Sequence, residues 1–211
     1  MSVYFRAHLF DKSRESSRYV FIHIPRTGGH SLINQIERFC EFYKEGEPHQ
    51  FASMIPKGDY QKITVVRDPV DRMVSIMNRL YTTQKEVAGR SFRSKGVPRA
   101  RTNVFKLEKS DVNDLIQWAL IKDNHHKLIS TFDVTEGFWS WGITPCQTAF
   151  IDDDTEVHKF EDKSIWHRLD LPEIKDNESR NRWQVDLLSD KTIELIHDYF
   201  DSDYKAFNYK K

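Results

Sequence analysis

An α/β fold with a mainly parallel central sheet is what this 211-residue sequence predicts, on three observations. Strand-like apolar runs alternate with helix-like amphipathic runs, the order that lays helices over a parallel sheet. The first strand-like run, Tyr19-Val20-Phe21-Ile22-His23-Ile24, passes through the glycine turn of Pro25–Leu32 (PRTGGHSL) into a helical pattern. About forty residues later the same order recurs in Val65–Ser75 (VVRDPVDRMVS). Open sheets of this class bind ligands beyond the carboxyl ends of their strands, where both turns fall.

The elements follow in chain order. Residues 1–18 read as a polar leader. After the glycine turn, Leu32, Ile33, Ile36, Phe39, Cys40 and Tyr43 carry a helical spacing. Residues 45–59 form a loop containing Pro48-His49-Gln50, with a short helix expected around Phe51–Ile55. Ile63–Val66 read as a buried strand with Arg67 at its end. Asp68 is the expected N-cap of the next helix and Pro69 its first residue, which suits a proline because its missing N–H has no role there. Met73, Val74, Met77, Leu80 and Tyr81 form that helix's apolar face.

Residues 82–110 change character, with eight basic residues (Lys85, Arg90, Arg93, Lys95, Arg99, Arg101, Lys106, Lys109) against two acidic ones, plus Gly89, Gly96 and Pro98. They are expected to be a mobile basic insertion. Helical spacing resumes over Asp111–Ile121, and His125–Trp141 are rich in aromatics, including Phe138, Trp139 and Trp141. Thr148–Ile151 and Val157–Phe160 read as two short strands of a hairpin around Asp152-Asp153-Asp154. Residues 173–182 read as a charged loop, and Ser189 as the cap of a last helix bearing Ile193, Ile196 and Phe200. The length suits a single domain spanning 1–211.

Composition narrows the function. Thirty-two basic and 32 acidic residues cancel, so nothing draws the whole chain to nucleic acid or an anionic membrane, and anion binding must come from local clusters. No run approaches the roughly 20 apolar residues of a membrane span, and the N-terminal segment lacks the apolar stretch of a signal peptide. The expected compartment is the cytoplasm. Cys40 and Cys146, the two cysteines, have no metal-binding spacing and are expected to be reduced thiols.

A glycine turn between a strand and a helix lets backbone N–H groups approach an anion. PRTGGHSL is not the nucleotide-triphosphate loop, because no GxxxxGK[ST] occurs. Arg26 adds a bidentate positive charge and Ser31 a hydroxyl. In the second motif Arg67 and Ser75 are candidates for anion binding. By themselves Arg67 could instead pair with Asp71, and Ser75 could face solvent. Two anion sites at the ends of two strands point to a ligand with two phosphate groups.

Together the motifs resemble the sulfotransferases that use 3′-phosphoadenosine-5′-phosphosulfate (PAPS), most closely the carbohydrate branch related to heparan sulfate 2-O-sulfotransferase. Pro145–Ile151 (PCQTAFI), Val157–Asp162 (VHKFED) and the closing DSDYKAFNY extend the likeness to about residues 19–209. The resemblance implies a P-loop-like three-layer fold. It implies that Arg26, Thr27, Gly28, Gly29, His30 and Ser31 hold the 5′-phosphosulfate. It assigns Arg67 and Ser75 to the 3′-phosphate, with Arg180 in a further nucleotide-contacting loop. It makes His49, which lies between the two motifs, the base that deprotonates the acceptor, with Glu45 and Glu47 as alternatives. His23 reads as a packed strand residue. The chain departs from the family pattern twice, with Arg26 where lysine is usual and His30 where threonine or serine is usual.

The implied reaction moves a sulfuryl group from PAPS to an acceptor hydroxyl and leaves 3′,5′-adenosine bisphosphate (PAP), without a metal. A glycan is the favoured acceptor, and the basic insertion would suit an anionic one. A P-loop-like small-molecule kinase and a non-catalytic nucleotide- or glycan-binding relative are the alternatives.

Overall fold

The computed structural model of the chain describes residues 7–11, 18–39, 41–45, 51–55, 57–93, 110–120, 146–172 and 183–211. Its strands are β1 (Ala7–Asp11), β2 (Arg18–Ile22), β3 (Glu41–Glu45), β4 (Gln61–Val66) and β5 (Thr155–Lys159). Its helices are α1 (Gly29–Phe39), α2 (Pro69–Arg93), α3 (Val112–Leu120), α4 (Ser164–Arg168), α5 (Asp190–Tyr199) and α6 (Asp201–Phe207). The backbone sorts into two compact units. The first comprises Met1–Asp68, Pro145–Glu178 and Lys205–Lys210; the second comprises Pro69–Thr144, Ser179–Tyr204 and Lys211.

The first unit holds a five-stranded sheet in the order β3-β1-β2-β4-β5. β2, β4 and β5 run parallel, and β1 pairs antiparallel with β2 and β3. The fold is α/β, with its parallel strands in register so that Ile22 lies beside Thr64 and Val66 beside Lys159. The carboxyl ends of three strands therefore open at one edge. Side chains alternate across the sheet, as the two-residue period of a strand requires. Tyr19, Phe21, Ile63 and Val65 pack on one face with Leu32, Ile33 and Ile36 of α1 and with Ile165 and Trp166 of α4. Val20, Ile22 and Val66 pack on the other with Ala52, Ile55, Phe150 and Phe207. Each large apolar side chain buried this way contributes about 1.5–3 kcal/mol, so these two clusters hold the sheet edge rigid.

In the second unit α2, α3 and α5 pack against one another. Met73, Ile76, Met77 and Leu80 of α2 are fully buried. Arg72 is buried as deeply, its guanidinium 5.9 Å from the Phe200 ring centre. Asn78 Nδ2 donates to the Trp183 carbonyl at 2.8 Å and Asn78 Oδ1 accepts from the Trp183 N–H at 2.9 Å, which fixes the approach to α5. Ser189 caps α5 by accepting from the Thr192 N–H, and α2 starts at Pro69, both as the sequence predicts.

Four expectations are corrected. The polar leader of residues 1–18 contributes β1. The first helix ends at Phe39, and Tyr43 lies in β3 rather than on the helix. The expected hairpin does not form. Gln147–Phe150 make a 3-10 turn, and β5 pairs in parallel with β4, some ninety residues earlier in the chain. Residues 82–93 of the expected basic insertion continue α2 to Arg93; residues 94–109 lie outside the described residues. Among the described residues no helix is long and apolar enough to cross a membrane.

Candidate anion-binding site

The glycine turn is built on strain and close packing. Past Ile24, the buried Thr27 donates its Oγ1–H to the Ile24 carbonyl at 2.9 Å and folds the loop back on its own strand. Arg26 has φ 68° and Gly28 φ 87°. The left-handed region costs an L-residue about 1–2 kcal/mol, and such strain collects at functional sites. A Cβ on Gly28 would lie 2.3 Å from Phe160 Cε2, and one on Gly29 would lie 2.2 Å from His23 Cδ2. Only glycine fits either place. The Ser31 N–H closes the turn on the Gly28 carbonyl at 3.1 Å, and α1 begins at Gly29, where the helix dipole favours negative charge.

Arg67 stands one strand away, directly after β4. Its backbone is clamped by the fully buried Gln147: the Arg67 N–H donates to Gln147 Oε1 at 2.9 Å, and Gln147 Nε2 donates to the Arg67 carbonyl at 2.8 Å. The Phe160 N–H bonds the Val66 carbonyl at 2.8 Å and extends the β4–β5 pairing to the edge. The Arg67 guanidinium lies 5.2 Å from the Phe160 ring centre. Its Nε is buried and makes no hydrogen bond among the described residues. A buried donor left without an acceptor costs about 1–3 kcal/mol, more when charged, and an anion would recover it. Phe160 thus walls both features, since Gly28 faces its edge and Arg67 its face. Lys163 Nζ lies 5.8 Å from the same ring centre and has φ 57°.

The end of the chain braces this edge. Glu161 accepts the Asp68 N–H at 2.9 Å with one oxygen and the Tyr209 hydroxyl at 2.9 Å with the other. Burial, and then the Glu161 charge, push the Tyr209 phenol far above its ordinary range, so it stays a donor. Lys159 Nζ donates to the Asn208 carbonyl at 3.1 Å and sits 4.4 Å from the Tyr209 ring centre.

Of the residues singled out by sequence, Arg26, Thr27, Gly28, Gly29, His30, Ser31 and Arg67 fall in the first unit, at the carboxyl ends of β2 and β4. Ser75 is half-buried on α2 in the second unit. His49, Glu47 and Arg180 lie outside the described residues, and the backbone of Glu45 belongs to β3. His23 is buried at the end of β2, with ring centres 6.0 Å from Phe21 and 5.0 Å from the exposed His30. Gln147, Phe160, Glu161 and Tyr209 escaped the sequence reading as site residues. VHKFED supplied a family signal for Phe160 and Glu161 without a role. PCQTAFI did the same for Gln147, whose role no local pattern could show, because it acts on backbone 80 positions away.

A model of the sulfotransferase family matches residues 10–210. No curated protein and no solved structure matches the chain.

Proposed function

The chain belongs to the sulfotransferase family, and from that premise we propose that it moves a sulfuryl group from PAPS to a hydroxyl of a glycan, in the manner of the carbohydrate branch near heparan sulfate 2-O-sulfotransferase. The observation that carries the nucleotide assignment is Arg67: a clamped backbone, a guanidinium on Phe160, and a buried Nε without an acceptor among the described residues. That geometry fits a phosphate oxygen. The turn from Arg26 to Ser31 fits the second anionic group, because its glycines allow close approach and its helix end favours negative charge.

In this reading Arg26 and the backbone of Gly28–Ser31 hold the 5′-phosphosulfate, and Arg67 holds the 3′-phosphate. The motif alone assigns Ser75 to that phosphate, and the resemblance alone assigns Arg180. His49 accepts the proton of the acceptor hydroxyl at an imidazole nitrogen. Transfer of this kind asks the protein chiefly to position and to stabilise charge. Arg26 stabilises charge on the departing phosphate but, as a guanidinium, does not give up a proton.

Thermal unfolding with PAP, AMP and ATP–magnesium tests the reading. PAP at about 100 times its dissociation constant stabilises the fold by about 2.7 kcal/mol, a shift of roughly 5–10 °C for a chain of this size. Arg67→Ala is expected to abolish the shift. His49→Ala is expected to keep it and lower turnover by about 10²-fold or more. A larger shift with ATP–magnesium would favour a kinase instead. PAP binding without turnover on any glycan, alcohol or phenol would favour a non-catalytic relative.

A further inference from the structure

Away from the glycine turn, β5 and α4 bring three side chains into a second constellation. His158 Nδ1 lies 2.9 Å from Ser164 Oγ, and His158 Nε2 lies 2.9 Å from Glu156 Oε1. Two further donors hold the glutamate. Arg168 Nε reaches Glu156 Oε1 at 3.0 Å, and Gln61 Nε2 reaches Glu156 Oε2 at 2.6 Å. Arg168 is itself fixed, donating to Tyr19 Oη at 3.0 Å and to Gln61 Oε1 at 3.2 Å.

The carboxylate decides the tautomer. Glu156 Oε1 only accepts, so the proton of a neutral His158 sits on Nε2, and the Nδ1 lone pair faces the Ser164 hydroxyl. That is a nucleophile, a base and a group that orients the base, in hydrogen-bonding order. The backbone enters the serine under constraint, because Lys163, just before it, has φ 57° and left-handed geometry at a non-glycine residue costs about 1–2 kcal/mol. Ser164 is half-buried, and the side chains of His158 and Glu156 are 12% and 25% exposed. The group is sheltered yet within reach of a small reagent. A bolt between β5 and α4 would need only the Arg168–Glu156 pair; the hydroxyl on the free imidazole nitrogen adds chemistry.

We propose that Ser164, His158 and Glu156 form a second reactive site, a base-activated serine that takes acyl or phosphonyl groups from small activated esters. Ser164 Oγ attacks the ester carbonyl carbon, and its proton passes to His158 Nδ1. As the ester C–O bond breaks, that proton goes to the departing oxygen. Water then attacks the acyl-serine, gives a proton to His158 Nδ1, and releases the acid as the proton returns to Ser164 Oγ. With a fluorophosphonate the O–P bond forms, the P–F bond breaks, and fluoride leaves with the proton.

The test treats the full chain with a fluorophosphonate and locates the adduct by peptide mass spectrometry, alongside p-nitrophenyl acetate hydrolysis. One adduct per chain, on Ser164, is expected in the native protein and none after heat denaturation. Ser164→Ala should remove both the adduct and the hydrolysis. His158→Gln should slow labelling by about 10²-fold, the usual worth of a positioned base, and Glu156→Gln by less. Labelling elsewhere, labelling that survives denaturation, or an unchanged rate in a folded His158→Gln would overturn the proposal. The native-protein adduct needs no variant, so poor folding of a mutant leaves the test intact. The proposed sulfuryl-transfer site uses none of the three residues, so loss or retention of PAP binding and sulfuryl transfer bears on that site alone.

Discussion

Gly28 is the residue on which the anion-binding turn depends most directly. Its φ of 87° and the Phe160 ring 2.3 Å from any added Cβ make two separate objections to a side chain. Gly28→Ala is expected to destabilise the fold by about 2–4 kcal/mol, from left-handed strain and overpacking together, lowering the thermal midpoint by several degrees. Arg26 makes the complementary case. Its φ of 68° is also left-handed, so Arg26→Gly should leave stability within about 1 kcal/mol of the parent, since relief of strain offsets the entropy of glycine. The PAP-induced shift should nevertheless fall. A loss of stability equal to that of Gly28→Ala would show that the arginine serves the fold and not the ligand. The glycine pair, Arg26 and Arg67 were legible in the sequence because strand, turn and helix follow one another there. Phe160 and Gln147 were not, because each meets its partner across a stretch of chain that no local pattern spans.

At the scale of elements, one strand end sets how β5 is held in acid. Lys62 on β4 pairs with Asp152, which also accepts the Thr155 hydroxyl at 2.7 Å. Burial pushes the Asp152 carboxyl up, but the Lys62 and Thr155 hydrogen bonds outweigh it, so the carboxyl lies below its ordinary 3.8. A depressed folded pKa gives stability that is complete above the unfolded value and disappears as pH falls through the folded one. Asp152→Asn should therefore cost about 1 kcal/mol near neutral pH, and the two proteins should converge well below pH 3.8, as urea titrations at several pH values would reveal. Ser189→Ala removes the cap of α5 and should cost about 1 kcal/mol at every pH between 5 and 8.

These short elements also mark where sequence patterns fail. Tyr43 keeps the spacing of the helix that precedes it, so β3 looked like a continuation of α1. The five residues of β5 show strand character but cannot name their partner, which is β4 and not the nearest strand-like run. β1 escaped notice because five residues within a polar stretch offer too few alternations to read.

At the scale of the molecule, the first unit is assembled from three separated stretches of chain. Phe207, from the last of them, is buried against Val20, Ile22 and Phe150. Phe207→Ala should cost about 3–5 kcal/mol, measured by denaturant unfolding, and should weaken PAP binding through the sheet edge rather than by any contact with the nucleotide. A stable variant with undiminished binding would mean that the last stretch is dispensable to the edge. The layered α/β architecture was readable from alternation alone, whereas the closure of the unit by residues 205–210 was not, because tertiary packing leaves no periodic trace.

The order in which these stretches are made has its own consequence. The glycine turn is made before Gln147, Phe160 and Tyr209, which complete its surroundings and follow Leu32 by up to 177 residues. At about 5–20 residues per second that is a delay of roughly 9–35 s. Until Gln147 and then Phe160 are made, partway through that delay, the nascent chain carries the loop without the clamp that seats Arg67 and the ring that walls it. A ligand that needs the walled turn and the seated Arg67 therefore cannot help the chain to fold before Phe160 is made.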